Sequence, residues 1–269
     1  VSFKEYIQSL SPEASLTDAL FRQEYCCEFV GTGEPVFDPA SLEYANVLWD
    51  SHYGGELPLA PNSGHQYVLG ADISGGGEAE TVILTLDATA PPAGLVCAEA
   101  ADREPTPRLQ ARIEQQTAYY KALPYVDAGG IGIHFVGSMN IPVRGIQLTG
   151  GQNYSGPPEF QRVARIRLIN NLVKMLEDGN IALPRSLRKL DAQLRAFRWG
   201  GQDEKREVRD DWVFALAFAA WGIVHRYDEP DEVVDVIAPQ YNLGTPGPGD
   251  FQLIGPEVAD YEALLNIGY

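Results

Sequence analysis

Hydrophobic and polar positions alternate along this chain in a way that predicts a sheet first and helices around it. Residues 67–71, Tyr-Val-Leu-Gly-Ala, form a short apolar run that ends on Asp72, and residues 81–86 are rich in β-branched side chains. Between them Gly75-Gly76-Gly77 supplies the backbone freedom of a tight hairpin. A third strand is expected over 94–98, a helix over 105–123 with Leu109, Ile113 and Tyr120 on one face, and a fourth strand over 123–127 that again ends on an acid, Asp127. Ala128-Gly129-Gly130 then opens a helix to about 139, and 144–149 reads as a fifth strand. The spacing of Val163, Ile166, Ile169, Leu172, Val173 and Leu176 predicts an amphipathic helix over 159–178, ended by Gly179. A basic helix is expected over 185–198, a hairpin-like connector over 199–209, and a helix apolar on nearly every side, hence buried, from Asp210-Asp211 onward.

Outside this core the pattern changes. A helix is expected over 17–29, a break at Gly31 to Pro35, a short Val36-Phe37 strand, and a helix after Asp38-Pro39. The segment after Tyr227 is rich in Pro, Gly and acids. The expected organisation is a collar over 1–66, a core over 67–226 and an acidic tail over 227–269. Starting at Val1, the sequence reads as a piece of something longer.

Charge changes the picture more than composition does. At 269 residues, 45% hydrophobic and 21% charged, the chain has the make-up of an ordinary globular protein with no membrane span or signal peptide, expected in the cytoplasm. Its net charge of −17 argues on average against nucleic acid. Residues 161–209 nevertheless carry twelve of the twenty basic side chains against six acids, so that one segment is +6 and the remainder −23. A confined polyanion site is compatible with that distribution. The three cysteines, Cys26, Cys27 and Cys97, lack metal-ligand spacing and read as reduced thiols, and no phosphate loop of the G-x-x-x-x-G-K-[ST] kind is present.

Asp72, Asp127 and the pair Asp210-Asp211 each stand at the edge of an apolar element. Any one of them has an ordinary explanation: an Asp at a helix start caps free N–H groups for about 1 kcal/mol, and an Asp before two glycines is a turn residue. Together they point to chemistry. Phosphodiester hydrolysis near neutral pH needs an activated water and cancellation of charge on the phosphate, which two divalent ions roughly 3.5–4 Å apart supply, held by carboxylates. If the first and fourth strands are neighbours, Asp72 and Asp127 come together, and a helix starting beside them delivers Asp210 or Asp211.

Three strands, helix, strand, helix, strand, with acids after strands one and four and on a late helix, resembles the ribonuclease H superfamily. Gly70-Ala-Asp72-Ile-Ser-Gly-Gly, Val126-Asp127-Ala-Gly-Gly-Ile-Gly132 and Asp210-Asp211-Trp-Val-Phe-Ala-Leu-Ala resemble the nuclease domain of the large terminase subunit of tailed bacteriophages. Arg22-Gln-Glu-Tyr25 and Glu177-Asp-Gly-Asn-Ile-Ala-Leu-Pro184 are similar to its opening and to a segment between its later helices. The resemblance implies an α/β fold with a mixed five-stranded sheet flanked by helices. It also implies an endonuclease that cuts concatemeric double-stranded phage DNA during genome packaging, with little sequence preference, using two Mg2+ or Mn2+ ions. Asp72, Asp127 and Asp211 would be metal ligands, with Asp210 completing the second site. The implied partners are DNA, a packaging ATPase domain of the same full-length protein, the small terminase subunit and the portal; the implied place of work is the host cytoplasm. Candidate DNA contacts are Arg162, Arg165, Arg185, Arg188, Lys189, Arg195 and Arg198 on the basic helices, with Lys205, Arg206 and Arg209 on the connector; the alternative is a solvated face. Other functional readings are a junction resolvase or transposase-like nuclease, and a non-catalytic module docking on capsid or portal. An actin-like ATPase would need a second Asp-Gly turn in a second similar domain, which the sequence lacks.

Overall fold

The computed structural model describes residues 35–74, 80–130, 132–149, 154–155, 160–198 and 209–225. The described strands are β1 (Tyr67–Asp72), β2 (Glu80–Asp87), β3 (Ala93–Asp102), β4 (Leu123–Asp127), β5 (Arg144–Thr149), β6 (Tyr154–Ser155), β7 (Phe160–Ala164) and β8 (Ile181–Ala182). The helices are α1 (Pro39–His52), α2 (Thr106–Tyr120), α3 (Gly132–Gly137), α4 (Arg165–Glu177), α5 (Arg188–Ala196) and α6 (Asp211–His225). All the strands join one mixed sheet in the order β6-β7-β5-β4-β1-β2-β3-β8. β1, β2 and β3 form an antiparallel meander, whereas β4, β5 and β7 add successively to β1 in parallel. The five expected strands lie in the order β5-β4-β1-β2-β3, with the first and fourth side by side.

The sheet is larger than the five strands expected from the sequence. β7 occupies residues assigned in sequence to the start of a helix: Phe160–Ala164 pairs in parallel with β5, and α4 begins only at Arg165. Val163 fits the helical stripe by spacing but is buried from a strand, while Ile166, expected on the same stripe, is 38% exposed. Short apolar stretches satisfy both periods, and pairing with β5 decides between them. Ile181–Ala182, expected only as a lead-in to the next helix, pairs in parallel with β3 at the other end of the sheet. Val36-Phe37 forms no strand beyond an isolated bridge between Pro35 and Arg198.

Alternation along β1 divides the core. Tyr67, Leu69 and Ala71 face α2 together with Ile113 and Tyr120, and Val68 faces the other side with Leu84, Tyr125 and Ile146, where α6 lies. α6 is buried from Trp212 to Gly222 because the sheet covers one side and α4 and α5 another, as its all-round apolar sequence requires. Two glycines allow this helix onto the sheet. A Cβ at Gly70 would run into the carbonyl oxygen of Ala215 and the backbone of Ala219, and one at Gly222 into the ring of Tyr125. α1 belongs to the same core through Leu42 and Ala45. Asp38 caps it, accepting from the Ser41 N–H at 2.9 Å, Trp49 Nε1 donates to the Leu95 carbonyl at 3.0 Å, and Asn46 Nδ2 to the Leu183 carbonyl at 2.9 Å. Cys97 is a buried free thiol whose pKa burial pushes up to about 12, so it is unreactive. The glycine hairpin at 75–77, the helix expected over 17–29 with Cys26 and Cys27, most of the connector and the tail lie outside the described residues. No helix among the described residues is long and apolar enough to cross a membrane.

Candidate active site

Parallel strands β1, β4, β5 and β7 all finish at one edge of the sheet, and the acids sit there. Asp72 is the last residue of β1 and Asp127 the last of β4; the register that pairs Ala71 with Val126 brings these two alongside one step later. By alternation both share the face of Val68 and Tyr125, the one covered by α6. α6 starts at this edge with Asp211, preceded by Asp210. Close seating at Gly70 therefore sets how near the helix start stands to the strand ends.

The acids bear on one another electrostatically. Burial pushes the Asp72 carboxyl well above the usual range, and the negative charges of Asp127, Asp211 and Asp210 push it further, with Arg165 alone opposing. Asp127 is raised by burial, against a hydrogen bond from the Gly129 N–H to its Oδ1 at 2.8 Å. Asp210 is raised by burial despite an ion pair from Arg165 Nη2 to its Oδ2 at 2.7 Å. Asp211 is raised by burial and by the charges of Asp210 and Glu80, while its Oδ2 accepts from the Glu80 N–H at 3.3 Å.

Glu80 is a site residue that sequence reasoning missed. It opens β2 and is only 5% exposed. Burial alone would raise its pKa, but Lys189 Nζ at 2.6 Å and Trp212 Nε1 at 3.1 Å hydrogen-bond to it and hold it lower. Gln193 Oε1 accepts from the Trp212 N–H at 2.9 Å. Glu80 thus ties α5 and the first turn of α6 to the sheet beside Asp211. The only trace in sequence is a carboxylate one residue before a β-branched run.

The candidate DNA contacts divide sharply. Arg165 stands at the acid cluster. Arg185 pairs with Glu43 at 2.9 Å and Asp50 at 3.4 Å, Arg195 with Glu43 at 2.6 Å and Asp191 at 2.9 Å, and Lys189 with Glu80. Arg162 Nε donates to Gln147 Oε1 at 3.1 Å, and Arg198 Nη1 to the Arg195 and Phe197 carbonyls. Arg188 and Arg209 are exposed, and Lys205 and Arg206 lie outside the described residues.

Four carboxylates crowded at one edge are hard oxygen donors with unfavourable mutual repulsion, which is the donor chemistry that a divalent cation such as Mg2+ fits. Among the described residues no three or more His, Cys, Asp or Glu side chains already stand at metal-holding geometry. Asp127, Asp210 and Asp211 are turned instead to Gly129, Arg165 and Glu80.

Fold and site together define a ribonuclease H-like α/β protein. Within that class the chain belongs to the large terminase family. The terminase large subunit of Thermus virus P23-45 is 30% identical over 216 residues, covering 76% of this chain and 41% of that protein. The terminase large subunit of Thermus phage G20c is 29% identical over the same shares of each chain. The chain thus spans about 41% of the length of these curated relatives. Among solved structures, the large terminase from a thermophilic bacteriophage is 13% identical, covers 83% of this chain and 53% of its own, and superposes with a TM-score of 0.52, a likeness of fold. The large terminase nuclease from phage G20c, solved with bound magnesium, is 20% identical over 60% of this chain and 84% of its own, with a TM-score of 0.47. No protein-family model matches the chain.

Proposed function

We propose that this chain is a divalent-metal-dependent endonuclease that hydrolyses phosphodiesters of concatemeric double-stranded DNA during phage genome packaging, with little sequence preference. The observation that carries the reading is the Asp72 carboxyl, partly buried at the end of β1 and raised by desolvation and by the charges of Asp127, Asp211 and Asp210 from two other elements. Carboxylates used only as caps or turn residues have no reason to crowd against one another from three elements. Repulsion of this kind lowers stability and is tolerated at sites that work with a cation.

Asp72, Asp127 and Asp211 are the proposed ligands of two Mg2+ or Mn2+ ions, and Asp210 completes the second site. Such ions, when bound, activate a water and neutralise charge on the phosphate. What this chain's own residues contribute is placement. The Gly129 N–H holds one carboxylate oxygen of Asp127 and the Glu80 N–H one of Asp211, which fixes each carboxylate while its other oxygen remains a donor for a cation. Trp212, held by Glu80 and Gln193, fixes the first turn of α6 and so the direction in which Asp211 leaves it. Without cations the cluster repels phosphate, so metal binds before DNA. The acidic remainder of the chain supplies little long-range attraction, and the isolated chain should nick plasmid slowly.

The rest of a longer relative would supply a packaging ATPase, and the small terminase subunit and portal are the further proposed partners, meeting in the host cytoplasm where phage assemble. A plasmid-nicking assay tests the core of the proposal. Nicking should require Mg2+ or Mn2+ and disappear in Asp72→Asn and Asp127→Asn; robust cutting in EDTA, or full activity of either variant, would sink it.

A further inference from the structure

Sequence reasoning made Arg165 a candidate DNA contact on a basic helix and gave it no role toward the acids. Because β7 runs parallel to β1 and β4, its end delivers the first residue of α4 to the edge where Asp72 and Asp127 finish. There Arg165 Nη2 meets Asp210 Oδ2 at 2.7 Å, and its guanidinium carbon lies 4.7 Å from the centre of the Phe214 ring, one turn along α6. Arg185 and Arg195 are each held by two carboxylates, whereas among the described residues Arg165 pairs with one, and that one is a proposed metal ligand. Both partners stay accessible, Arg165 at 49% and Asp210 at 36%.

We infer that Arg165 is the resident cation of the carboxylate cluster, that it competes with a divalent ion for Asp210, and that once displaced it serves as a contact for a DNA backbone phosphate. The inference rests on the nuclease reading and adds an order of exchange to it. A doubly charged ion outcompetes one guanidinium for a carboxylate already repelled by its neighbours. Phe214 keeps the released guanidinium at the site through a cation–π contact. Its planar fork of donors then suits a phosphate, which the departure of Asp210 leaves it free to bind.

Mn2+ binding, read from the loss of the free-ion EPR signal and counted only where Asp72→Asn removes it, tests the competition. Arg165→Gln should bind Mn2+ about two- to fivefold more tightly than wild type, the size expected of an accessible ion pair. Arg165→Lys should return toward the wild-type affinity. In an Asp210→Asn background the gain from Arg165→Gln should vanish, since an effect of the general field would persist there. Duplex binding in Ca2+, followed by fluorescence anisotropy, should weaken about fivefold in Arg165→Gln, with the salt slope shallower by about one unit. A merely structural role would weaken both ligands together. Equal or weaker Mn2+ affinity in Arg165→Gln, or a gain that survives Asp210→Asn, overturns the competition, and unchanged duplex affinity overturns the phosphate contact. Absence of any Asp72-dependent Mn2+ binding in wild type overturns the nuclease reading and this inference with it.

Discussion

Two charged regions of this molecule are built on opposite logic. At the carboxyl edge of the sheet, four aspartates from β1, β4 and the start of α6 meet with one arginine among them, and each carboxyl is raised above its ordinary value. Where α5 and the segment before it meet α1, Arg185 and Arg195 share Glu43, and Asp50 and Asp191 complete the pairing. Glu43 is lowered and both arginines are raised, as matched partners should be. One region carries repulsion that folding alone would not select; the other cancels its charges locally. A high count of basic residues in a sequence segment therefore says less about a DNA surface than whether carboxylates from elsewhere in the fold already meet them.

The largest expected effect breaks the contrast at its acidic end. Asp72→Asn or Asp127→Asn should bring metal-dependent plasmid nicking down to the level seen in EDTA. The same substitutions should raise the metal-free melting temperature, by about 2–4 °C for each kcal/mol of repulsion relieved. Loss of activity together with loss of folding would mean that these carboxylates hold the fold rather than a cation.

Gly70→Ala comes next, because it moves one side of the cluster without touching a charge. The added methyl has only the backbone of Ala215 and Ala219 to meet, and backbone cannot step aside as a flexible side chain can. Overpacking of this kind costs about 1–3 kcal/mol. Thermal melting should show that loss, and nicking should fall by more than the unfolded fraction explains, since α6 carries Asp210 and Asp211 away from β1. Melting that falls with nicking unchanged would separate the helix seat from the site.

The pH dependence is smaller and has a fixed sign. A carboxyl raised in the folded state binds its proton more tightly there than in the unfolded chain, so stability falls as pH rises from the ordinary value of 3.8 toward the raised one. In EDTA the melting advantage of Asp72→Asn over wild type should therefore be least in acid and grow as pH rises above 3.8. Mn2+ should remove that growth by stabilising the wild type. An advantage independent of pH would show that Asp72 is not the source of the repulsion.

Most of this arrangement was legible in the sequence, and what was not has identifiable causes. Asp72 and Asp127 could be placed because each terminates a short apolar run, a pattern that depends on neighbours in the chain. β7 could not, because Phe160–Ala164 takes its strand conformation from pairing with β5, and Val163 satisfies either period. Losing β7 also hid why Arg165 reaches the acids. Glu80 was invisible for a similar reason: its partners Lys189 and Trp212 lie 109 and 132 residues away. The basic helix was read correctly as basic, but Glu43 and Asp50 reach it from α1, a helix assigned in sequence to a separate collar.

Glu43→Gln gives the smallest effect and the sharpest view of the compensated region. Glu43 is exposed, so its two ion pairs are screened by water and contribute little to stability; melting should barely move, and less still at high salt. DNA is where the change should register. Removing one carboxylate leaves Arg185 and Arg195 each with a single remaining partner, Asp50 and Asp191, and adds a net positive charge to a face that also exposes Arg188. If the α5 face borders bound duplex, Glu43→Gln should tighten binding in Ca2+ modestly and steepen the salt dependence by up to about one unit, because an additional phosphate can release its counterion. Arg188→Gln should do the reverse. Should neither variant shift the salt dependence, the duplex lies along another face, and the pairing of Glu43 with Arg185 and Arg195 serves only to fasten α1 to α5.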